Sequence, residues 1–184
     1  KLAANSHFTE NAGDNMSIKN GIQHPDNFYT YGSSWNSAPP MGYSYYNLWS
    51  ADNTTTGYND NSVVKTIYDP CLAGFKMPAS NAFTGFTTTG QNGSPMNTSG
   101  AWDNGWNFNN KPNNPDATVW FPASGFRFDG SGSLYDVGNY GCYWPAVPRD
   151  TDFGCNLSFN QWRVNPRGNA YWPTGCAARP VADE

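Results

Sequence analysis

Hydrophobic positions along the chain form short runs between stretches rich in Gly, Asn, Ser and Pro. The first 62 residues show no helical periodicity and predict irregular loops with one or two short strands. The β-branched, apolar run 63–68 predicts a strand that ends at Asp69-Pro70. Ser80 is the best candidate for a helix cap, and a short helix is expected from Asn81 to about Phe86.

The second half of the chain repeats this pattern of short runs. Residues 88–116 predict a long loop pinned by Trp102, Trp106 and Phe108. The Asp-Gly-Ser-Gly sequence at 129–132 is a strong turn signal. Short strands are predicted over 119–127, 134–137, 141–144, 155–159 and 178–181.

Composition supports a single globular domain over residues 1–184, in which 1–60 is either an N-terminal arm or part of the domain. Charged residues make up only 13% and aromatic residues 16%, so aromatic rings are expected to fill most of the core. The net charge of -4 argues against a nucleic-acid partner, which requires a basic surface. No apolar stretch approaches the length of a membrane-spanning helix, so direct membrane insertion is not expected.

The four cysteines, Cys71, Cys142, Cys155 and Cys176, fit neither a zinc ribbon nor a CxxC redox motif. The sequence is compatible both with two disulfides and with four free thiols. No cofactor and no metal site are predicted. Asn114-Pro115-Asp116 is similar to the sugar and calcium motif of C-type lectins, but no acidic cluster adequate for calcium surrounds it.

Five sequence elements together resemble the major paralogous domain of Bacteroidetes and Fibrobacter surface proteins. Residues 66–78 read TIYDPCLAGFKMP and are similar to its YDPCPxGFxxP element. The next four elements follow in family order between residues 121 and 181 and read FPASGFR, GSLYDVG, YGCYW and GCAARPV. The set covers roughly residues 60–184.

This resemblance implies an α+β, C-type-lectin-like fold with few short helices, short strands and extensive ordered loops. It also implies an extracellular setting, either on a bacterial cell surface or on a phage particle. Relatives that generate formylglycine use a cysteine pair, which Cys155 with Cys142 or Cys176 could imitate. No neighbouring feature supports a reactive thiol, so an enzyme is not expected.

A narrower resemblance is to the variable proteins of diversity-generating retroelements, whose C-terminal binding residues are replaced by mutation. Residues 136–176 have this character, and Cys142, Cys155 and Cys176 would then be sampled residues rather than a disulfide framework. The predicted ligand-binding residues are Asn139, Arg149, Asp150, Asp152, Phe153, Asn160, Gln161, Trp162, Arg163, Arg167, Asn169, Tyr171 and Trp172.

Trp162, Tyr171 and Trp172 offer large rigid contact areas, and the arginines add forked donors. Trp162 and Trp172 are expected to be exposed, and Trp144 is expected in the core. The sequence therefore predicts an adhesin or receptor-binding module for a protein or glycan ligand on a cell or host surface. Alternatives are a tip or subunit of a fimbria-like assembly and, less favoured, an enzyme related to formylglycine-generating proteins.

Overall fold

The structure is a computed structural model that describes residues 9–10, 12–13, 17–30, 48–51 and 56–184. Across these residues strand accounts for 33% and helix for 5%. The expected α+β class is therefore wrong, because the described part of the chain is mostly β. Its segments rich in Gly, Asn and aromatic residues favour loops and short strands over helices.

Within the described ranges the helices are α1, Ile18–Gln23, and a 3-10 helix, Thr84–Phe86. Ser17 caps α1 by accepting a hydrogen bond from Asn20 N. The strands are β1 (Phe75–Lys76), β2 (Thr98–Ser99), β3 (Gly105–Asn109), β4 (Thr118–Pro122), β5 (Phe126–Arg127), β6 (Leu134–Tyr135), β7 (Gly141–Trp144), β8 (Phe153–Phe159), β9 (Val164–Tyr171), β10 (Ala177–Ala178) and β11 (Val181–Ala182).

The strands form four small sheets. The largest has the order β10-β7-β8-β9, in which β7, β8 and β9 are antiparallel and β10 runs parallel to β7. A three-stranded antiparallel sheet has the order β2-β3-β4. The pairs β1-β11 and β5-β6 complete the set.

One predicted element does not form, and another, the helix from Asn81 to about Phe86, is reduced to the 3-10 helix Thr84–Phe86. In the run 63–68, Lys65 makes a single bridge to Ser50 in place of a strand. Thr66 binds the Leu48 carbonyl through its side chain, which competes with regular strand pairing. Ser80 caps no helix, because its buried hydroxyl accepts from Asn59 N and lies within bonding distance of the Gly57 carbonyl.

The predicted strands in the C-terminal part are largely confirmed. The run 141–144 is β7, and 155–159 lies within β8. The run 119–127 is divided into β4 and β5 near Gly125, whose φ of 67° is a left-handed conformation that favours glycine. The runs 134–137 and 178–181 shorten to β6 and to parts of β10 and β11.

The two central strands of the four-stranded sheet, β7 and β8, are buried on both faces. Neighbouring residues on β7 point to opposite sides, so Tyr143 packs into one cluster and Trp144 into another. We call the first the aromatic cluster, comprising Phe83, Trp106, Phe108, Phe121, Tyr143, Leu157, Phe159 and Val164. We call the second the Trp144 cluster, comprising Val63, Met77, Trp144 and Ala146. The predicted core position of Trp144 is confirmed.

A disulfide joins Cys142 on β7 to Cys176, which directly precedes β10, with 4.9 Å between their Cα atoms. Cys71 and Cys155 are free thiols. The bond gives Cys142 and Cys176 a structural role, contrary to the interpretation of both as sampled residues outside a disulfide framework. It encloses the β8–β9 hairpin within a sequence separation of 34 residues.

Replacing both Cys142 and Cys176 with Ser should lower the free energy of unfolding by about 4 kcal/mol, because the unfolded chain loses a cross-link that closes a loop of this length. Urea denaturation under non-reducing conditions measures the change. Cys71→Ser is the control and should change stability little. Equal stability of the double variant and the wild type would show that the bond does not constrain the unfolded chain.

A buried carboxylate organises the loop around the YDPC sequence. Asp69 accepts hydrogen bonds from Lys65 Nζ at 2.7 Å, Cys71 N at 2.7 Å and Met77 N at 2.9 Å. Burial acts to raise the pKa of Asp69, but these donors outweigh it and hold the pKa below its usual value. Because Met77 belongs to the Trp144 cluster, the carboxylate helps to support one face of the sheet.

Asp69→Asn should lower the free energy of unfolding at pH 7 by about 2 kcal/mol, because charge-assisted hydrogen bonds become neutral ones. A lowered folded-state pKa gives stability that is present above the unfolded pKa and lost as pH falls through the folded one. The difference between wild type and variant should therefore shrink below about pH 4. Denaturation at pH 7 and pH 3 tests this, and a pH-independent difference would contradict it.

Candidate functional site

The β8–β9 hairpin separates most of the predicted binding residues into two groups. Phe153 pairs with Tyr171 at one end, and Phe159 pairs with Val164 at the other. A strand rises about 3.3 Å per residue, so the two ends of β9 are about 23 Å apart. We call residues 160–163 the turn end, and residues 149–153 with 169–172 the open end. A small ligand cannot contact both ends.

The turn end has a backbone held by three hydrogen bonds. Asn160 N donates to the Arg163 carbonyl at 2.9 Å and closes the turn. Trp162 N donates to Asn160 Oδ1 at 2.9 Å. Trp106, a member of the aromatic cluster, donates its Nε1 to the Asn160 carbonyl at 3.0 Å and ties the turn to the core.

The side chains of the turn end face solvent. Gln161, Trp162 and Arg163 are all exposed, and Trp162 is 80% exposed. Arg163 Nε donates to Asn165 Oδ1 at 2.8 Å, which orients the guanidinium group. The predicted exposure of Trp162 is confirmed. The turn therefore presents an indole and a guanidinium group side by side on a fixed backbone.

The open end begins with a tight loop. Arg149 N and Asp150 N both donate to the Phe153 carbonyl, at 2.9 and 3.1 Å. Asp150 Oδ1 accepts from Asp152 N and Phe153 N, both at 2.9 Å. Asp150 is thus a turn-forming residue. The prediction that Asp150 and Asp152 lie in a loop, rather than as paired carboxylates on one strand, is confirmed.

An aromatic pair and two polar side chains form the surface of the open end. The rings of Phe153 and Tyr171 stack with their centroids 4.3 Å apart, and Tyr171 is 45% exposed. Arg149 Nη1 donates to Asn169 Oδ1 at 2.6 Å. Asn169 and Tyr171 are two residues apart on β9, so both side chains lie on the same face.

Trp172 is half-buried rather than exposed, so the expectation of an exposed ring is wrong. Its Nε1 donates to the Thr151 carbonyl at 3.2 Å, and its backbone N donates to the Asp152 carbonyl at 3.3 Å. Its ring stacks on Trp144 at 6.4 Å. Trp172 therefore connects the 149–152 loop to the Trp144 cluster.

Asn139 and Arg167 lie outside these two groups. Asn139 is exposed in a turn, where its N donates to the Asp136 carbonyl at 2.9 Å. It lies two residues before β7, whose Gly141 pairs with Phe159, so it lies toward the turn end. Arg167 is half-buried near the middle of β9, where the ladder has an irregularity between the two ends.

Side chains from distant parts of the chain hold β9 in place, and one of them, Asn92, covers the outer edge of this last strand of the sheet. Asn92 accepts from Arg167 N at 2.9 Å and donates to the Arg167 carbonyl at 2.6 Å. The Tyr58 hydroxyl donates to the Gly168 carbonyl and accepts from Asn156 N at 3.3 Å, so it lies between β8 and β9 where their ladder is irregular. The sequence did not predict that the site is supported by Trp106, Asn92 and Tyr58. Each of them bonds to a residue that is 54 to 110 positions away in the chain.

The free thiols lack the features of a nucleophile. Burial raises the pKa of Cys155 to about 12, against smaller lowering effects of Tyr58 and Arg149. Burial and Asp69 raise the pKa of Cys71 to about 11. Burial also raises the pKa of Tyr58 above its usual range. Since Cys142 is bonded to Cys176, neither forms the pair with Cys155 that a formylglycine-generating relative would require.

The part of the chain that the structure describes contains neither a metal-ligand cluster nor a membrane-spanning helix. No group of three or more His, Cys, Asp or Glu side chains there could hold a metal ion. None of the helices in the same ranges has both the length and the apolar character needed to cross a membrane.

Comparison of the chain with protein-family models, with curated proteins and with solved structures finds no match. The geometry of the two ends of the hairpin is therefore what indicates a function.

Cys155 should not react with Ellman's reagent in the native protein at pH 8. With a pKa of about 12 its thiolate fraction is about 10⁻⁴, and its side chain is fully buried. Cys71 should react slowly, because its pKa of about 11 also leaves only a small fraction of the thiol as thiolate. In guanidinium chloride both thiols should react at once. A fast native reaction that Cys155→Ser removes would restore the hypothesis of a catalytic thiol.

Proposed function

We propose that the chain is a ligand-binding module of the adhesin or receptor-binding kind, whose binding surface is carried by the two ends of the β8–β9 hairpin. Its ligand is a protein or glycan on a cell or host surface. The observation that carries the proposal is Trp162, a large aromatic side chain that is 80% exposed on a turn tied to the core.

The indole of Trp162 contributes little to folding. The three hydrogen bonds that hold the turn use main-chain atoms of residues 160, 162 and 163 with the side chains of Asn160 and Trp106. An aromatic side chain that the fold does not need, and that water solvates poorly, is typical of a binding contact. Arg163 beside it adds donors that suit a carboxylate or a carbonyl group.

The same geometry suits a surface whose residues vary. The groups at positions 161–163 that hold the turn belong to the main chain, and every residue except proline at 162 supplies them. The side chains at these positions can change while the backbone keeps its course. This supports, as part of the proposal, the resemblance of residues 136–176 to retroelement-diversified proteins.

The chemistry of the chain is consistent with an extracellular setting on a bacterial surface or a phage particle. The Cys142–Cys176 disulfide is of a kind that persists in oxidising compartments. The aromatic and arginine side chains at both ends of the hairpin are those most enriched at binding hot spots. This proposal involves neither catalysis nor a cofactor.

Trp162→Ala combined with Arg163→Ala should reduce binding to target cells by at least about 30-fold, the effect of losing a hot-spot contact of about 2 kcal/mol. The melting temperature should change by less than about 2 °C, because exposed side chains away from structural contacts contribute little stability. Flow cytometry of the fluorescently labelled chain on a panel of intact bacterial and mammalian cells measures binding.

Trp120→Ala is the matched control, because Trp120 is a tryptophan of β4 that is 37% exposed and lies outside the hairpin. It should leave cell binding unchanged. Equal binding by the wild type and the double variant, or no binding of the wild type across the panel, would count against the proposal. Concentration-dependent self-association that the double variant removes would instead favour a subunit of a fimbria-like assembly.

A further inference from the structure

We infer that the open end of the hairpin is a binding site for a neutral saccharide. This inference rests on the proposed function and assigns a ligand class to one of its two ends. The observation behind it is the arrangement of Tyr171, Asn169 and Arg149, which places an exposed aromatic ring beside an amide and a guanidinium group.

The aromatic pair provides a platform for a sugar ring. A pyranose has a face of C–H bonds that packs on the electron-rich face of an aromatic ring. Tyr171 is 45% exposed, and its stacking on Phe153 with centroids 4.3 Å apart holds the ring in place. Since Phe153 and Tyr171 are directly opposite each other on β8 and β9, the platform is built on the strands rather than on a loop.

The polar groups beside the platform match the rim of a sugar. Each hydroxyl group both donates and accepts a hydrogen bond, so a sugar site needs donors and acceptors close together. Asn169 uses its Oδ1 to accept from Arg149, which fixes the amide and presents Nδ2 as a donor. Asp150 uses Oδ1 for the loop, and its Oδ2 lies 3.8 Å from Arg149 Nε as an acceptor.

The local charge favours a neutral sugar over an acidic one. Arg149 contributes one positive charge, and Asp150 and Asp152 contribute two negative charges. Arg149 is already engaged with Asn169 at 2.6 Å and faces Asp150 at 3.8 Å. An anionic ligand such as a sialoside would therefore meet a net negative surface, which weakens its binding.

The open end is organised before any ligand binds. The loop 149–152 is closed by hydrogen bonds to the Phe153 carbonyl and to Asp150 Oδ1, and Trp172 holds it from the other side. Little conformational freedom is therefore lost on binding, so a small surface can bind a small ligand. A single sugar ring on one platform should bind with a Kd on the order of 1 mM, and several copies would bind more tightly together.

Saturation-transfer-difference NMR on the full chain tests the inference with five methyl glycosides as probes: α-mannoside, β-galactoside, β-N-acetylglucosaminide, α-fucoside and the sialoside. At least one neutral glycoside should show transfer to its ring C–H protons, and the sialoside should show less. Tyr171→Ala and Asn169→Ala should each reduce the signal at least fivefold. Tyr171→Phe keeps the ring face and should retain most of it.

Tyr135→Ala is the matched control, because Tyr135 is 48% exposed and also lies against another ring, that of Phe126, on a different hairpin. It should leave the signal unchanged. Thermal unfolding of each variant checks that it folds. If Tyr171→Ala does not fold, the signal of Asn169→Ala decides whether the open end binds the sugar. No transfer to any neutral glycoside, a signal unchanged in both hairpin variants, or a stronger signal from the sialoside would overturn the inference.

The cell-binding experiment separates this result from the proposed function. Cell binding that needs Trp162, without transfer to any neutral glycoside, would overturn the saccharide site and leave the binding module standing. Transfer that Tyr171→Ala abolishes and that Trp162→Ala leaves intact would support the saccharide site, whatever the cells show.

Discussion

Burial of β8 on both faces is the constraint on which the rest of the structure depends. Leu157 and Phe159 pack into the aromatic cluster, while Gly154 leaves room for the ring of Trp144 on the other side. A shift of one residue along the strand would exchange these two sets of side chains between the two clusters. The register of the hairpin is thereby fixed, and so are the positions of its two ends.

The predictability of the fold follows from where each element obtains its stability. The strands at 141–144 and 155–159 were predictable, because their apolar residues enter the core directly. The run 63–68 has an equally strong strand pattern, but Ile67 is 86% exposed and Thr66 bonds to a remote carbonyl. Tertiary contacts decide such a segment, and a sequence pattern does not contain them.

The α+β class was expected from resemblance alone, and the residues themselves gave it little support. The best helix candidate, 81–86, contains a glycine and two phenylalanines, and its Ser80 is used to hold the segment near Asn59. Only a 3-10 turn remains there among the described residues. Local motifs carry less information about helix content than composition does.

The site was predictable where a side chain depends on its neighbours in sequence. Trp162 lies between Gln161 and Arg163, and its exposure follows from that polar context. Trp172 has a similar local context, but it stacks on Trp144, 28 positions earlier in the chain, and becomes part of the scaffold. The separation of the predicted residues into two ends also needed the strand pairing, since a stretch of 41 residues reads as one surface until its hairpin is known.

The covering of β9 bears on how closely copies of the chain can be crowded. An unpaired strand edge invites a second strand to add to it, and dense arrays make such an encounter frequent. Here the amide of Asn92 occupies both main-chain groups of Arg167, and Pro166 has no N–H to offer. A second strand therefore cannot pair with the middle of this edge, so neighbouring molecules can lie side by side without forming a common sheet.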